Sequence, residues 1–278
     1  IYSRDTANPG GTDTLCYGDT LMLSTTGGTQ WSWSPAYNID DSSARQPQVW
    51  PDTSLVYQIT ISDSSGCGEA DTAFKSVFVR DKPTLQSVFT DSTVCPIDSI
   101  ELKVTAGGGD SASYTVSWYR NALLSSNLIK SERLSGSTDS IWVSGIEGDT
   151  SGTEYFALLN DSCGSYTDTL RFTIRSYLPL KVNFTVNDAT LCRADTFRTS
   201  PVVTGGRTGT YAYIWSDISG VLSNTSSEIT VNTSFGDTGT LQVVVNDGCM
   251  FIGDSSNFTF QFYSPLNPDI YHQNKALK

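Results

Sequence analysis

Residues 55–62, LVYQITIS, alternate apolar and polar side chains with a period of two. The same alternation returns in FKSVFVR (74–80), EYFALLN (154–160), LRFTIR (170–175), TLQVVVN (240–246) and NFTFQFY (257–263). A period of two belongs to a strand with one face buried. The Asp, Asn, Gly and Ser residues between successive runs supply hairpin turns. No segment of ten or more residues carries a helical period. The pattern predicts an all-β chain.

The strand pairs recur in register with two kinds of cysteine. An opening cysteine stands in TLCYGDTLML (14–23), TVCPIDSIEL (93–102) and TLCRADTFRT (190–199). A closing cysteine follows an Asp-rich turn in ISDSSGCGEADTAF (61–74), LNDSCGSYTDTL (159–170) and VNDGCMFIGDSS (245–256). Between the two lies a tryptophan: Trp31 and Trp33, then Trp118, then Trp215. The spacing of the opening cysteines, about one immunoglobulin-sized sandwich, predicts three tandem β-sandwich domains. The expected boundaries are 13–81, 82–176 and 177–264. Residues 1–12 read as the end of a preceding repeat with its linker, and 265–278 as a linker or the start of a following one. IYSRD (1–5) resembles VFVRD (77–81), and PLNPDIYHQNKALK (265–278) resembles PLKVNFTVNDATLC (179–192), so both ends read as cuts inside a longer array.

Within this repeat the expected bridges join opening to closing cysteine of one unit: Cys16–Cys67, Cys95–Cys163 and Cys192–Cys249. One disulfide per domain implies an oxidising, extracellular location. Metal binding is the competing use of cysteine, but no CxxC spacing occurs and the single histidine is His272. Neither a metal nor a cofactor is expected.

Charge narrows the partners. With a net charge of −12 and a pI near 4.4, the chain has no basic stripe for nucleic acid and is repelled by anionic membrane surfaces. No run of about 18 apolar residues is present, so no membrane insertion is expected.

Catalytic groups are scarce. His272 sits in the tail, the six glutamates form no evident carboxylate pair, and TAGGGDSAS (105–113) lacks the Lys-Ser/Thr of a phosphate loop. NIDDSS (38–43) offers oxygens to calcium without the spacing of a known site. The chain is expected not to be an enzyme. The tryptophans read first as sandwich core. Because QWSWSP (30–35) alternates, one of Trp31 and Trp33 should point outward, which makes Trp33, Trp50 and Tyr37 candidate glycan contacts.

Seventeen of the 23 aspartates precede Ser or Thr. Turn chemistry explains part of that bias. Nine of these pairs continue with Ala, Ile, Leu or Thr, centred on Thr6, Thr14, Thr20, Thr72, Ser92, Ser99, Ser111, Ser140 and Thr169. These are candidate O-glycosylation sites, since the triplet resembles the Asp-Ser/Thr-apolar motif of exported Bacteroidetes proteins. Five Asn-x-Ser/Thr sequons accompany them, at Asn160, Asn183, Asn224, Asn232 and Asn257.

At C-x-G-D-T-L-x-L…GGTQWSWSP (16–35), continuing to VYQITISDSSGC (56–67), the chain resembles the PKD-like and Ig-like repeats of Bacteroidetes cell-surface adhesins. The second and third units keep both cysteines and the tryptophan, but carry WYRN (118–121) and WSDI (215–218) where the first has Trp-Ser-Pro. The resemblance implies Ig-like or PKD-like sandwiches, type IX export, and a place in a long adhesin of the gliding-motility kind. The expected role is a non-catalytic structural or adhesive segment on the cell surface. Its partners would be neighbouring repeats of the same chain, surface polysaccharide or other surface proteins. Two rivals remain: a glycan-binding or spacer region of a secreted polysaccharide-degrading enzyme, and a strand-exchanging fibre subunit.

Overall fold

The computed structural model describes residues 6–64, 69–96, 98–193, 195–249 and 253–263. Cys67, His272 and the two end segments IYSRD and 265–278 fall outside that set. Among the described residues the fold is all-β, as the alternation predicts. The chain divides into two compact units. One takes in the chain to Asp91 with Glu101–Val143 and Thr153–Thr173. The other takes in Ser92–Ile100, Ser144–Gly152 and the chain from Ile174.

In the first unit, the first repeat consists of β1 (Asp13–Cys16), β2 (Leu21–Met22), β3 (Gln30–Ser34), β4 (Gln48–Val49), β5 (Leu55–Ser62) and β6 (Asp71–Arg80). The order β1-β6-β5-β3 forms one sheet, and β2 pairs β4. The hairpin β5–β6 is antiparallel, whereas β1 runs parallel to the second half of β6, with Asp13 opposite Val77 and Cys16 opposite Arg80. Alternation in β5 turns Tyr57, Ile59 and Ile61 inward, where they pack with Leu15, Leu23, Trp33, Val49, Val77 and Val79.

The second repeat consists of β7 (Thr84–Gln86), β8 (Asp91–Val94), β9 (Ser99–Gly107), β10 (Thr115–Arg120), β11 (Leu128–Arg133), β12 (Thr138–Ser144), β13 (Thr153–Asn160) and β14 (Asp168–Ser176). Its sheets include the orders β11-β10-β13-β14 and β12-β9-β7. Trp118 is fully buried, with its ring 5.7 Å from that of Phe172.

In the second unit, the third repeat consists of β15 (Lys181–Asn183), β16 (Asp188–Cys192), β17 (Phe197–Thr199), β18 (Val202–Thr204), β19 (Ala212–Asp217), β20 (Gly220–Val221), β21 (Ile229–Val231), β22 (Thr238–Asn246) and β23 (Asp254–Tyr263). The main sheet runs β16-β23-β22-β19-β20, and the pairs β15–β18 and β17–β21 complete the repeat. The parallel opening strand returns: Asp188 lies opposite Thr259 and Cys192 opposite Tyr263. The core gathers Trp215, Leu241, Val243, Val245, Phe258 and Phe260.

One tryptophan per repeat is core. Trp33, Trp118 and Trp215 are each at most 2% exposed. Their indole N–H groups donate to Ala44 O at 3.0 Å, Asp139 Oδ2 at 2.8 Å and Ser226 O at 2.8 Å. A buried indole needs such a partner. Trp33 therefore offers no face to a sugar, which corrects its reading as a glycan contact.

The expected bridges are corrected as well. Cys16 is bonded to Cys163 rather than Cys67, and Cys95 to Cys249 rather than Cys163, with Cα separations of 5.5 and 5.4 Å. Cys192, expected to pair with Cys249, is an exposed free thiol. The cause is the parallel opening strand. Pairing with the second half of the last strand carries the opening cysteine to the end where the chain leaves the sheet. The closing hairpin lies at the other end of that strand, roughly 30 Å away for a strand of 10 residues. A disulfide requires Cα atoms within about 7 Å. The opening cysteine instead meets the closing hairpin of the next repeat.

Candidate functional site: the bridged repeat junctions

The two bridges sit in junctions built the same way, one inside each unit. In the first, β6 ends at Arg80 and the chain passes through Asp81-Lys82-Pro83 into β7. Gly108 and Gly109 lie against that linker with φ of +66° and +53°. A side chain on Gly108 would run into the Lys82 carbonyl oxygen, and one on Gly109 into the Asp161 carboxylate. The Gly109 amide donates to Asp81 O at 2.7 Å, and the Tyr114 hydroxyl donates to Gly108 O. Burial raises the Tyr114 phenol above its ordinary pKa, and the Asp161 and Asp110 carboxylates add to the rise.

Asp161 ties this clasp to the bridge. Its Oδ2 accepts the Asp110 amide at 2.6 Å, and its Oδ1 accepts the amide of Cys163, two residues on, at 3.0 Å. Asp110 in turn accepts the Ser162 hydroxyl at 2.6 Å and the Ser113 hydroxyl at 3.0 Å, and pairs with Arg80 at 3.3 Å. The Ser162 and Ser113 hydroxyls, with Arg80, hold its pKa below the ordinary carboxylate value. Beside the disulfide, Tyr17 and Tyr166 meet edge to face at 5.4 Å, and Lys82 Nζ lies 4.5 and 4.6 Å from their ring centres. An ammonium over two rings adds cation–π attraction to the closure.

The second junction repeats the parts with other residues. The Tyr177 amide donates to Val94 O at 3.3 Å, next to Cys95. Gly205 and Gly206, at φ of +72° and +62°, receive the linker, and a side chain on Gly205 would strike the Pro179 carbonyl. The Gly206 amide donates to Leu178 O at 2.8 Å, and the Tyr211 hydroxyl donates to Gly205 O. Asp247, only 6% exposed, accepts the Arg207 amide at 2.8 Å and the Cys249 amide at 3.0 Å. Burial raises the Tyr211 phenol's pKa, with Asp247 second.

The first repeat holds the segment before it through related contacts. A side chain on Gly27 would press on the backbone of Thr6, and the Thr26 hydroxyl reaches Thr6 O at 3.4 Å. A second anchor is shared by all three repeats. The aspartate that starts each last strand accepts an incoming amide: Asp71 takes Ala7 N at 2.9 Å, Asp168 takes Leu85 N at 2.6 Å, and Asp254 takes Val182 N at 2.7 Å. Each opening cysteine also begins a turn, closed by Asp19, Asp98 and Asp195 amides donating to the cysteine carbonyls at 3.0, 3.1 and 2.9 Å. Six Asp-Ser/Thr pairs thus have a backbone role.

The clasp is the feature that sequence reading passed over. Its signal was available: Gly108 and Gly205 each have a tyrosine six residues later, and Asp161 and Asp247 each stand two before a closing cysteine.

Other sequence candidates scatter. Thr6, Thr14, Thr20, Thr72, Ser99, Ser111 and Thr169 are exposed, while Ser92 and Ser140 are half-buried. Trp50 and Tyr37 are exposed and joined through Asn38, whose carbonyl accepts the Trp50 amide at 2.9 Å. The Tyr37 hydroxyl donates to Asp52 at 2.9 Å, the main cause of its raised pKa. In NIDDSS, Asp41 is occupied by the Ser43 hydroxyl and amide, which lower its pKa. Among the described residues no group of three His, Cys, Asp or Glu is placed to hold a metal ion, and no helix is long and apolar enough to cross a membrane.

No protein-family model matches the chain, and no curated protein matches it. Among solved structures it is similar to the three-Ig titin fragment I67–I69, at 12% identity, covering 93% of this chain and 96% of that one with a TM-score of 0.47. It is also similar to the N-terminal four Ig domains of Dscam1 isoform 4.44, at 10% identity, covering 95% and 74% with a TM-score of 0.35.

Proposed function

We propose that this chain is a non-catalytic structural segment of a long extracellular surface protein, an adhesin or filament of the kind its repeat motifs resemble. One observation carries the reading: each disulfide joins the opening strand of one repeat to the closing hairpin of the next. A bridge inside a domain secures that domain alone. These bridges span sequence separations of 147 and 154 residues and overlap, so the stretch between Cys95 and Cys163 lies inside both loops. The shortest covalent path from Cys16 to Cys249 runs through both bridges and that shared stretch. Fully drawn out it measures about 240 Å, against about 800 Å for the reduced chain. The arrangement suits a protein that must keep its length under pull, and disulfides of this kind persist in oxidising surroundings. The acidic surface opposes clumping of neighbouring chains.

Single-molecule extension of the chain held by its ends tests this. The oxidised protein should release roughly 550 Å less contour length than the reduced protein. Equal release in the two states would overturn the proposal.

A further inference from the structure

In the second repeat β11 ends the sheet β11-β10-β13-β14, and five of its six residues are exposed. Its register with β10 tells which backbone groups face outward. Tyr114 O accepts the Leu134 amide at 2.8 Å, and opposite residues of an antiparallel pair alternate between exchanging both backbone bonds and exchanging none. Val116 with Glu132 and Trp118 with Lys130 are therefore bonding pairs. The N–H and C=O groups of Ser131 and Arg133 point away from β10, and among the described residues no other strand takes them. Other edges are less available. β3 is closed where the Trp33 amide donates to Ser42 O at 2.8 Å, and β20 has only two residues. β12 is long enough, but its one charged residue, Asp139, is held by the Trp118 indole and Lys130, so nothing there fixes a register.

We infer that β11 pairs antiparallel with β11 of a second copy of the chain, about a two-fold axis at Ser131. An open edge is a template for another strand. Charge selects the second copy and the register. Lys130-Ser131-Glu132 is its own complement when reversed. Centred on Ser131, the pairing sets each Lys130 opposite Glu132 of the other copy and joins the outward backbone groups of the two Ser131 residues. Centring on Lys130 would oppose two ammonium groups, and centring on Glu132 would oppose two carboxylates. Like charges directly opposite are destabilising. Lys130 Nζ also lies 3.0 Å from Glu132 of its own strand, so the paired edges close a ring of alternating charge. The exposed Leu128 and Ile129 come over Leu134 and the Arg133 stem of the second copy. The inference rests on the edge of β11 and not on the bridges or the mechanical role proposed above.

The test is sedimentation of the whole chain over a range of concentrations, with Cys67→Ser and Cys192→Ser in every sample so that no disulfide links copies. A reversible monomer–dimer equilibrium is expected. Hydrogen exchange at the Ser131 and Arg133 amides should slow as concentration rises, a readout that needs no change in β11. Glu132→Lys sets like charges opposite at both places, and Ser131→Pro removes an outward amide that β10 does not use. Each should weaken dimerisation about tenfold or more. Glu147→Lys, an exposed site outside β11, makes the same change in net charge and should not weaken it. Protein that stays monomeric at every concentration would overturn the inference. So would a dimer that Glu132→Lys and Ser131→Pro leave as tight as before, or one that Glu147→Lys weakens equally. None of these results touches the extension measurement, which is made on single chains.

Discussion

Cys16 is the register partner of Arg80 in a parallel pairing, one full strand length from the hairpin that closes its own repeat. That placement delivers its sulfur to Cys163 of the next repeat. Replacing Cys163 by Ser should therefore leave Cys16 as the newly reactive thiol and leave Cys95 protected by Cys249. Bridges confined to single repeats would instead expose Cys95. Mass-mapped alkylation of the native variant distinguishes the two. The lost constraint, a loop of about 150 residues, corresponds to about 5 kcal/mol on the chain-entropy scale, read from denaturant unfolding.

Gly108 and Gly205 combine a left-handed backbone with a linker carbonyl lying where a side chain would go. An alanine at either position incurs about 1–2 kcal/mol for the backbone conformation and must also push the linker away. Gly108→Ala and Gly205→Ala should each destabilise by about 3 kcal/mol or more. Gly136 supplies the control: its φ is ordinary, and nothing lies within 4 Å of the position a Cβ would take. Gly136→Ala should shift unfolding by less than about 0.5 kcal/mol. Equal effects at Gly108 and Gly136 would remove the clasp from the account of the junction.

The strands, the repeat and the buried tryptophans were legible because each leaves a periodic trace. Tyr57, Ile59 and Ile61 alternate in β5 just as they pack in the core. The bridges were not legible. A cysteine's spacing says nothing about whether its strand runs parallel or antiparallel to the last one, and that choice places Cys16 at one end of the sheet or the other. Trp31 and Trp33 lie two residues apart and so share the inner face of β3, where Trp33 is buried and Trp31 packs against the same core, so the expectation that one of them points outward fails. The Asp-Ser/Thr excess was visible as a number, yet the amides of Ala7, Leu85 and Val182 that Asp71, Asp168 and Asp254 accept are distant in sequence.

Asp110 predicts an acid-sensitive junction. The Ser162 hydroxyl, the Ser113 hydroxyl and Arg80 hold its folded pKa below the ordinary 3.8. A depressed carboxylate binds fewer protons folded than unfolded, so its stabilisation is present above about pH 4 and is lost as pH falls through the folded value. Asp110→Asn removes this dependence. The difference in unfolding midpoint between the parent and Asp110→Asn should shrink steadily from pH 5 to pH 2. A constant difference would show that Asp110 does not titrate with folding.

Tyr57 predicts the alkaline limit of the first repeat. It is fully buried in that core, and its hydroxyl donates to Tyr37 O at 3.0 Å. Burial pushes its pKa up from 10.0 to about 12, with the neighbouring Tyr37 adding to the rise. The folded state keeps the phenolic proton over a range where the unfolded chain has released it. The stabilisation is therefore complete below pH 10 and declines as pH rises toward 12, by up to about 3 kcal/mol. Tyr57→Phe forfeits the hydrogen bond, about 1 kcal/mol at pH 7, and has no proton to lose. Comparing the two proteins isolates this group from Tyr114 and Tyr211, whose phenols are also raised. Carrying Cys192→Ser and Cys67→Ser in both removes the cysteines outside the two bridges, whose thiols would exchange with them at high pH. The Phe variant should start less stable at pH 7 and become the more stable of the two before pH 12, a crossing that a merely structural hydroxyl would not produce.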